Sequence, residues 1–96
     1  MVTFNIELNN KVVLVTGAAG FIGANLVKRL LDDLAAVKVI GIDSITDYYD
    51  VHLKHERLEQ LAKYGDRFVF IKDNIANKEA IDNLFAEYKP QVVVNL

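Results

Sequence analysis

The apolar positions change period several times along this chain, and each change marks an element. Val12-Val13-Leu14-Val15 is a short continuous apolar run rich in β-branched residues, which predicts a strand buried on both faces. From Ile22 the spacing turns helical through Leu26, Val27, Leu30, Leu31 and Leu34. Val37 to Ile42 again reads as a buried strand. Helical spacing returns at Leu58, Leu61 and Ala62, predicting a helix over about Val51 to Tyr64. Phe68-Val69-Phe70-Ile71 is a third strand. Ala80, Ile81, Leu84, Phe85 and Tyr88 form one helical stripe, with Asn77 placed to cap it and Pro90 to end it. Val92-Val93-Val94 starts a fourth strand.

A strand–helix pair repeated three times and followed by a strand predicts an α/β fold with a parallel sheet and right-handed crossovers. In such a sheet the first two helices cover one face and the third crosses to the other. Part of that second face is then left bare, and the fourth strand forms an edge, so self-association is expected. Residues 1–10 precede the first strand and are assigned no element.

Composition narrows the function classes. Ninety-six residues make one domain at most. Without cysteine there is no disulfide, thiolate metal site or cysteine nucleophile. Eleven Lys and Arg against 13 Asp and Glu, with no run of one sign, exclude a nucleic-acid footprint. The longest apolar stretch, Val12 to Ala24, is broken by Thr16 and three glycines and falls short of the ~20 residues that span a bilayer. Residues Met1 to Asn5 carry neither a basic nor an apolar leader segment. A soluble, cytoplasmic protein without a membrane partner is expected.

The chemistry is concentrated in Gly17-Ala18-Ala19-Gly20-Phe21-Ile22-Gly23, between the first strand and the first helix. Gly17 lets the chain turn sharply off the strand. Gly20 leaves room for a phosphate at the backbone, and Gly23 lets the helix pack closely on the sheet. The free N–H groups at the helix start attract a pyrophosphate. With a strand before it and a helix after it, the turn reads as a dinucleotide site of the Rossmann type, with strand order 3-2-1-4. A P-loop is excluded because no Gly-Lys-Ser/Thr follows. Asp43 ends the second strand, where a carboxylate accepts hydrogen bonds from the adenosine ribose. No Arg or Lys follows in Ser44-Ile45-Thr46, so NAD is favoured over NADP.

Thr16 to Gly23 resembles the TGxxGFIG signature of extended short-chain dehydrogenases/reductases, the sugar-nucleotide epimerase/dehydratase family. Asp43 to Lys54 is similar to the D-N-x-x-x-Y-Y-D-x-x-L-K segment of UDP-glucuronate 4-epimerases. The likeness runs from about Val12 to Leu96. It implies that Gly17, Gly20, Phe21, Ile22 and Gly23 hold the cofactor, together with Asp43 and Ser44, which stands where the family usually has Asn. It further implies an adenine contact at Asn74, where the family usually has Asp, with Ile75 facing the ring. Tyr48 and Tyr49 have two readings, packing over the adenosine side or anchoring their loop.

The implied activity is oxidation of the sugar's C4 hydroxyl by NAD and return of the hydride to the other face, on a nucleotide-sugar substrate. The implied catalytic pair is Tyr-x-x-x-Lys. Four positions beyond Tyr48, Tyr49, Tyr64 and Tyr88 stand His52, Leu53, Phe68 and Val92, so the pair is absent. Residues 1–96 are therefore expected to be a truncated NAD-binding domain, inactive alone, without catalytic residues or a sugar-binding lobe. A dehydratase or reductase of the same family, or a non-catalytic dinucleotide sensor, are the alternatives. His52 and His55 with Glu56 do not make His-Glu-x-x-His, since Glu59 takes the last place, and no metal site is expected. Asp32, Asp33, Lys54, Glu56, Arg57 and Glu59 read as solvated faces.

Overall fold

Continuous apolar runs become the central strands, because only a strand covered on both faces hides every side chain. The structure, a computed structural model, describes residues 10–45 and 51–96, with Val51 described by its backbone alone. The elements are β1 (Val12–Thr16), α1 (Phe21–Asp33), β2 (Lys38–Asp43), α2 (Val51–Leu61), a 3-10 turn (Ala62–Arg67), β3 (Phe68–Lys72), α3 (Lys78–Tyr88) and β4 (Val92–Val94). The sheet order is β3-β2-β1-β4, and all three pairings are parallel. This is the first half of a doubly wound Rossmann sheet.

Alternate strand residues feed two cores. Val13, Val15 and Val39 pack with Ala24, Val27, Leu30 and Leu31 of α1 and Leu61 of α2. Leu14, Ile40 and Ile42 point the other way, onto Leu84 of α3. The first two helices thus share one face and, among the described residues, α3 lies alone on the other, as the handedness of the crossovers requires. The second face is thinly covered: Val93 is 50% exposed and Phe85 40%.

Several boundaries differ from the apolar pattern. The second helix does not run to Tyr64. It stops at Leu61 and continues as a 3-10 turn, because Gly65 sits at φ 59 and ψ −133, outside helical space. Ile22 shares the helical spacing of α1 yet is 70% exposed, in the first turn of the helix. Asn77 caps α3 as expected, accepting from the Ala80 N–H at 3.2 Å. The helix ends at Tyr88, two residues before Pro90, with Lys89 between them in the left-handed region at φ 50.

The end of α1 is held from a distance. Arg67 donates from Nε to the Val37 carbonyl at 3.2 Å and from Nη2 to the Leu31 carbonyl at 3.0 Å, and Nη2 also reaches the Leu34 carbonyl. Among these, the Leu31 carbonyl is one that the last turn of α1 leaves unpaired, while the Leu34 carbonyl also accepts from the Val37 N–H at 3.4 Å. No helix of the described residues is long and apolar enough to cross a membrane.

Candidate dinucleotide-binding site

The turn after β1 brings the site together. Gly17 adopts φ 66, a left-handed conformation that glycine enters without a Cβ clash. Its carbonyl accepts from the Gly20 N–H at 3.0 Å, closing the turn. Gly23 is buried over the same carbonyl, and a Cβ there would lie 2.1 Å from the Gly17 oxygen. Its role is therefore contact with the turn, a correction to the expected contact with the sheet. The sheet-side fit belongs to Gly41 of β2, where a Cβ would lie 2.7 Å from the Ala18 methyl. That position carried no signal beyond being a glycine inside a strand.

No side chain caps the start of α1 at Gly20. The first-turn N–H groups have no partner within a helix, so this end suits an anion. Phe21 and Ile22 are exposed beside it, at 69% and 70%. Below the turn, a cleft of about 130 Å³ opens over the ends of β1, β2 and β3. Gly17, Asp43, Ser44, Asn74 and Ile75 all line it, with Leu96 closing one side. The Thr16 hydroxyl fixes that side by donating to Asn95 Oδ1 and accepting from the Leu96 N–H, both at 2.8 Å.

Asp43 is more enclosed than a ribose ligand was expected to be. Its Oδ2 accepts from the Ala19 N–H at 3.1 Å and its Oδ1 from the Ile45 N–H at 2.9 Å. Lys54 Nζ lies 3.3 Å from Oδ1, with side-chain exposure of only 14% for Lys54 and 6% for Asp43. The surroundings of Asp43 are therefore not free of cations, as Ser44 to Thr46 alone had implied. Lys54 comes from α2, eleven residues on, where its charge had been read as part of a solvated face.

Arg57 corrects the same reading. Its Nη1 donates to the Ala19 carbonyl at 3.2 Å, and its guanidinium lies 5.8 Å from the Phe21 ring centre. Both backbone groups of Ala19 are thus tied, one to β2 and one to α2. Ile45, β-branched at φ 53, holds a conformation that costs about 1–3 kcal/mol, and its bond to Asp43 and its buried side chain keep it there. His52 faces solvent and pairs with Glu56 at 3.3 Å.

Asn74 is also engaged. Its Oδ1 accepts from the Ala76 N–H at 2.8 Å, which leaves one lone pair for a ligand N–H. Asp73 supports it by accepting from the Asn74 N–H at 2.8 Å and from Asn77 Nδ2 at 3.2 Å. Ile75 is 51% exposed at the cleft. Tyr48, Tyr49 and Asp50 lie outside the described residues. The uncapped helix start, the glycine turn and the cleft with its carboxylate and amide fit a dinucleotide.

The profile of the GDP-mannose 4,6 dehydratase family matches residues 14–96. The chain belongs to that family. That family groups with the NAD-dependent epimerases and dehydratases of nucleotide sugars. It is 44% identical over 84 residues to protein CapI of Staphylococcus aureus, covering 88% of this chain and 24% of the relative. The UDP-glucuronic acid 4-epimerase of Bacillus cereus, solved with UDP-glucuronic acid and NAD, superposes with a TM-score of 0.74 at 36% identity over 88% of this chain and 26% of that one. The dTDP-glucose 4,6-dehydratase of Bacillus anthracis, solved with NAD, reaches 0.78 at 32% identity over 90% and 26%. The chain spans about a quarter of the length of these family members.

Proposed function

We propose that this chain is the NAD-binding portion of a nucleotide-sugar 4-epimerase whose substrate is UDP-glucuronate. The observation that carries the dinucleotide part is the turn itself: Gly17 at φ 66, an uncapped α1 and the Asp43 carboxylate bonded to the turn's Ala19 N–H. The likeness to the Bacillus cereus epimerase, together with the Tyr-Tyr-Asp segment at 48–50, supports the sugar. A dehydratase reading stays open beside it through the Bacillus anthracis relative.

In this reading the α1 start takes the pyrophosphate, and the cleft between Asp43 and Asn74 takes the adenosine. NAD, when bound, supplies the hydride acceptor and donor. The chain's own residues bind and orient. With no Tyr-x-x-x-Lys anywhere in its sequence, the chain alone leaves UDP-glucuronate unchanged.

Calorimetric titration of the chain with NAD tests the reading, using Gly20→Ala as the decisive variant. An added Cβ at Gly20 would lie 3.3 Å from the Gly17 oxygen, so the turn must give by a few tenths of an ångström, and a melting curve first establishes that the variant is folded. The same methyl stands where the phosphate approaches, and NAD affinity should fall at least about tenfold, or about 1.4 kcal/mol. Unchanged affinity in a folded variant, or no NAD binding by the unaltered chain, refutes the proposal.

A further inference from the structure

The pairing of Asp43 with Lys54 bears on how the site treats a phosphate at the adenosine 2′ position. We propose that Lys54 is a specificity-determining residue: a cation behind the ribose end of the cleft, held masked by the Asp43 carboxylate that lines it. The inference rests on the dinucleotide reading above and goes beyond it.

A bare carboxylate rejects a 2′-phosphate by charge. Asp43 is not bare. Lys54 Nζ sits 3.3 Å from its Oδ1, both side chains are largely enclosed, and the two charges offset each other. Oδ2 and Oδ1 also accept from the Ala19 and Ile45 N–H groups. The rejection of a phosphate at this wall therefore depends on the balance of the pair. Asp43 lines the cleft beside Ser44, whereas Lys54 reaches the carboxylate from α2. Ammonium and carboxylate at this separation in a partly buried setting interact strongly, and a change to either alters the field felt by a nearby phosphate.

The two members of the pair then have opposite effects. Removing the ammonium leaves an uncompensated carboxylate, and discrimination against NADP sharpens. Neutralising the carboxylate frees the ammonium, which becomes a phosphate partner. A purely structural role for Lys54 would move NAD and NADP affinities together and leave their ratio fixed.

The test is titration of the chain, Lys54→Met, Asp43→Asn and the double variant with NAD and NADP, read as the ratio of the two dissociation constants. Lys54→Met should raise the NADP to NAD ratio about tenfold, and Asp43→Asn should lower it by about as much. The double variant should lose the gain that Asp43→Asn gives, and both shifts should shrink as salt is raised. Lys54→Met removes no acceptor from Ala19 or Ile45, so it reports even where Asp43→Asn unfolds. A ratio that Lys54→Met leaves within twofold overturns the proposal, as does a gain at Asp43→Asn that persists without Lys54. Binding of neither dinucleotide by the unaltered chain refutes the underlying reading instead, and the inference falls with it.

Discussion

Asp43 accepts a hydrogen bond from the Ala19 backbone N–H across 24 residues, tying the end of β2 to the turn that follows β1. Arg57 donates to the carbonyl of the same Ala19, so α2 joins the tie. A glycine-rich turn is mobile by composition, since glycine loses the most backbone freedom on folding. Bonds from two other elements hold this one in a single shape before any ligand arrives. Preorganisation of this kind spares a ligand the cost of ordering the loop.

Two glycines in that turn should respond very differently to alanine. At Gly23 a Cβ would lie 2.1 Å from the Gly17 carbonyl oxygen, a contact with backbone that has nowhere to move. At Gly17 a Cβ meets only Leu96, its Cβ at 3.8 Å and its carbonyl oxygen at 3.9 Å, both ordinary contacts, so the penalty is that of φ 66 alone. Gly17→Ala should cost about 1–2 kcal/mol. Gly23→Ala should cost about 3 kcal/mol or more, as forced overpacking does. Urea unfolding of the two variants ranks them, and the opposite order would show that the helix shifts away from the turn.

Arg67 should matter more than a surface arginine. Its guanidinium serves the carbonyls of Leu31, Leu34 and Val37, all near the end of α1 or the start of β2. Arg67→Ala leaves the Leu31 and Val37 carbonyls to water at best, the Leu34 carbonyl keeping the Val37 N–H, and should destabilise the chain by about 2–3 kcal/mol. Arg67→Lys should recover only part, because an ammonium lacks the planar fork that reaches three oxygens. A loss below about 0.5 kcal/mol for Arg67→Ala would mean that water replaces it fully.

The sheet and its two-sided cover were legible because they follow from local signals. Val13, Leu14 and Val15 have no polar face to offer solvent, and a chain of right-handed crossovers has one way to place α3. The glycine turn was legible for the same reason, since its demands fall on neighbouring residues. Lys54, Arg57 and Arg67 were not. Charges on a helix surface read as solvent-facing or as i,i+4 pairs, and Lys28 with Asp32 at 3.4 Å and Lys78 with Asp82 at 2.9 Å behave that way. Lys54 reaches back 11 residues and Arg57 reaches back 38, and no spacing rule carries that information. The inward turn of the Asp43 carboxylate follows from Lys54 and from the Ala19 and Ile45 N–H groups that it accepts from.

The outer strand should make the chain associate. β4 pairs with β1 on one side, and among the described residues no strand pairs with it on the other. Val93 stands half exposed on the face that α3 covers thinly, near an exposed Leu96. An open strand edge with apolar neighbours pairs readily with a second copy. Light scattering across a dilution series should show mass falling with concentration, and Val93→Lys should reduce the association. A monodisperse monomer at high micromolar concentration would contradict this.

Tyr64 should give the chain an alkaline limit. Its hydroxyl donates to Asp32 Oδ1, joining the 3-10 turn to α1. Burial first, and then that hydrogen bond to a carboxylate, push the Tyr64 hydroxyl up to about 12. The tyrosine hydrogen bond in turn holds the exposed Asp32 carboxyl below its ordinary value. The signs follow from which form the fold prefers. For Tyr64 the fold prefers the protonated form, and an unfolded tyrosine titrates near pH 10. Its contribution is therefore complete below about pH 10 and is lost as pH rises through about 12. For Asp32 the fold prefers the charged form, so that contribution holds above the ordinary carboxylate value and fades as pH falls through the lowered one. Tyr64→Phe should make the chain less stable at neutral pH and remove part of the decline between about pH 10 and 12. It should also remove the latest step from the ultraviolet tyrosinate titration. If that step survives in Tyr64→Phe, a different tyrosine carries it, and the Asp32 contact does not raise Tyr64.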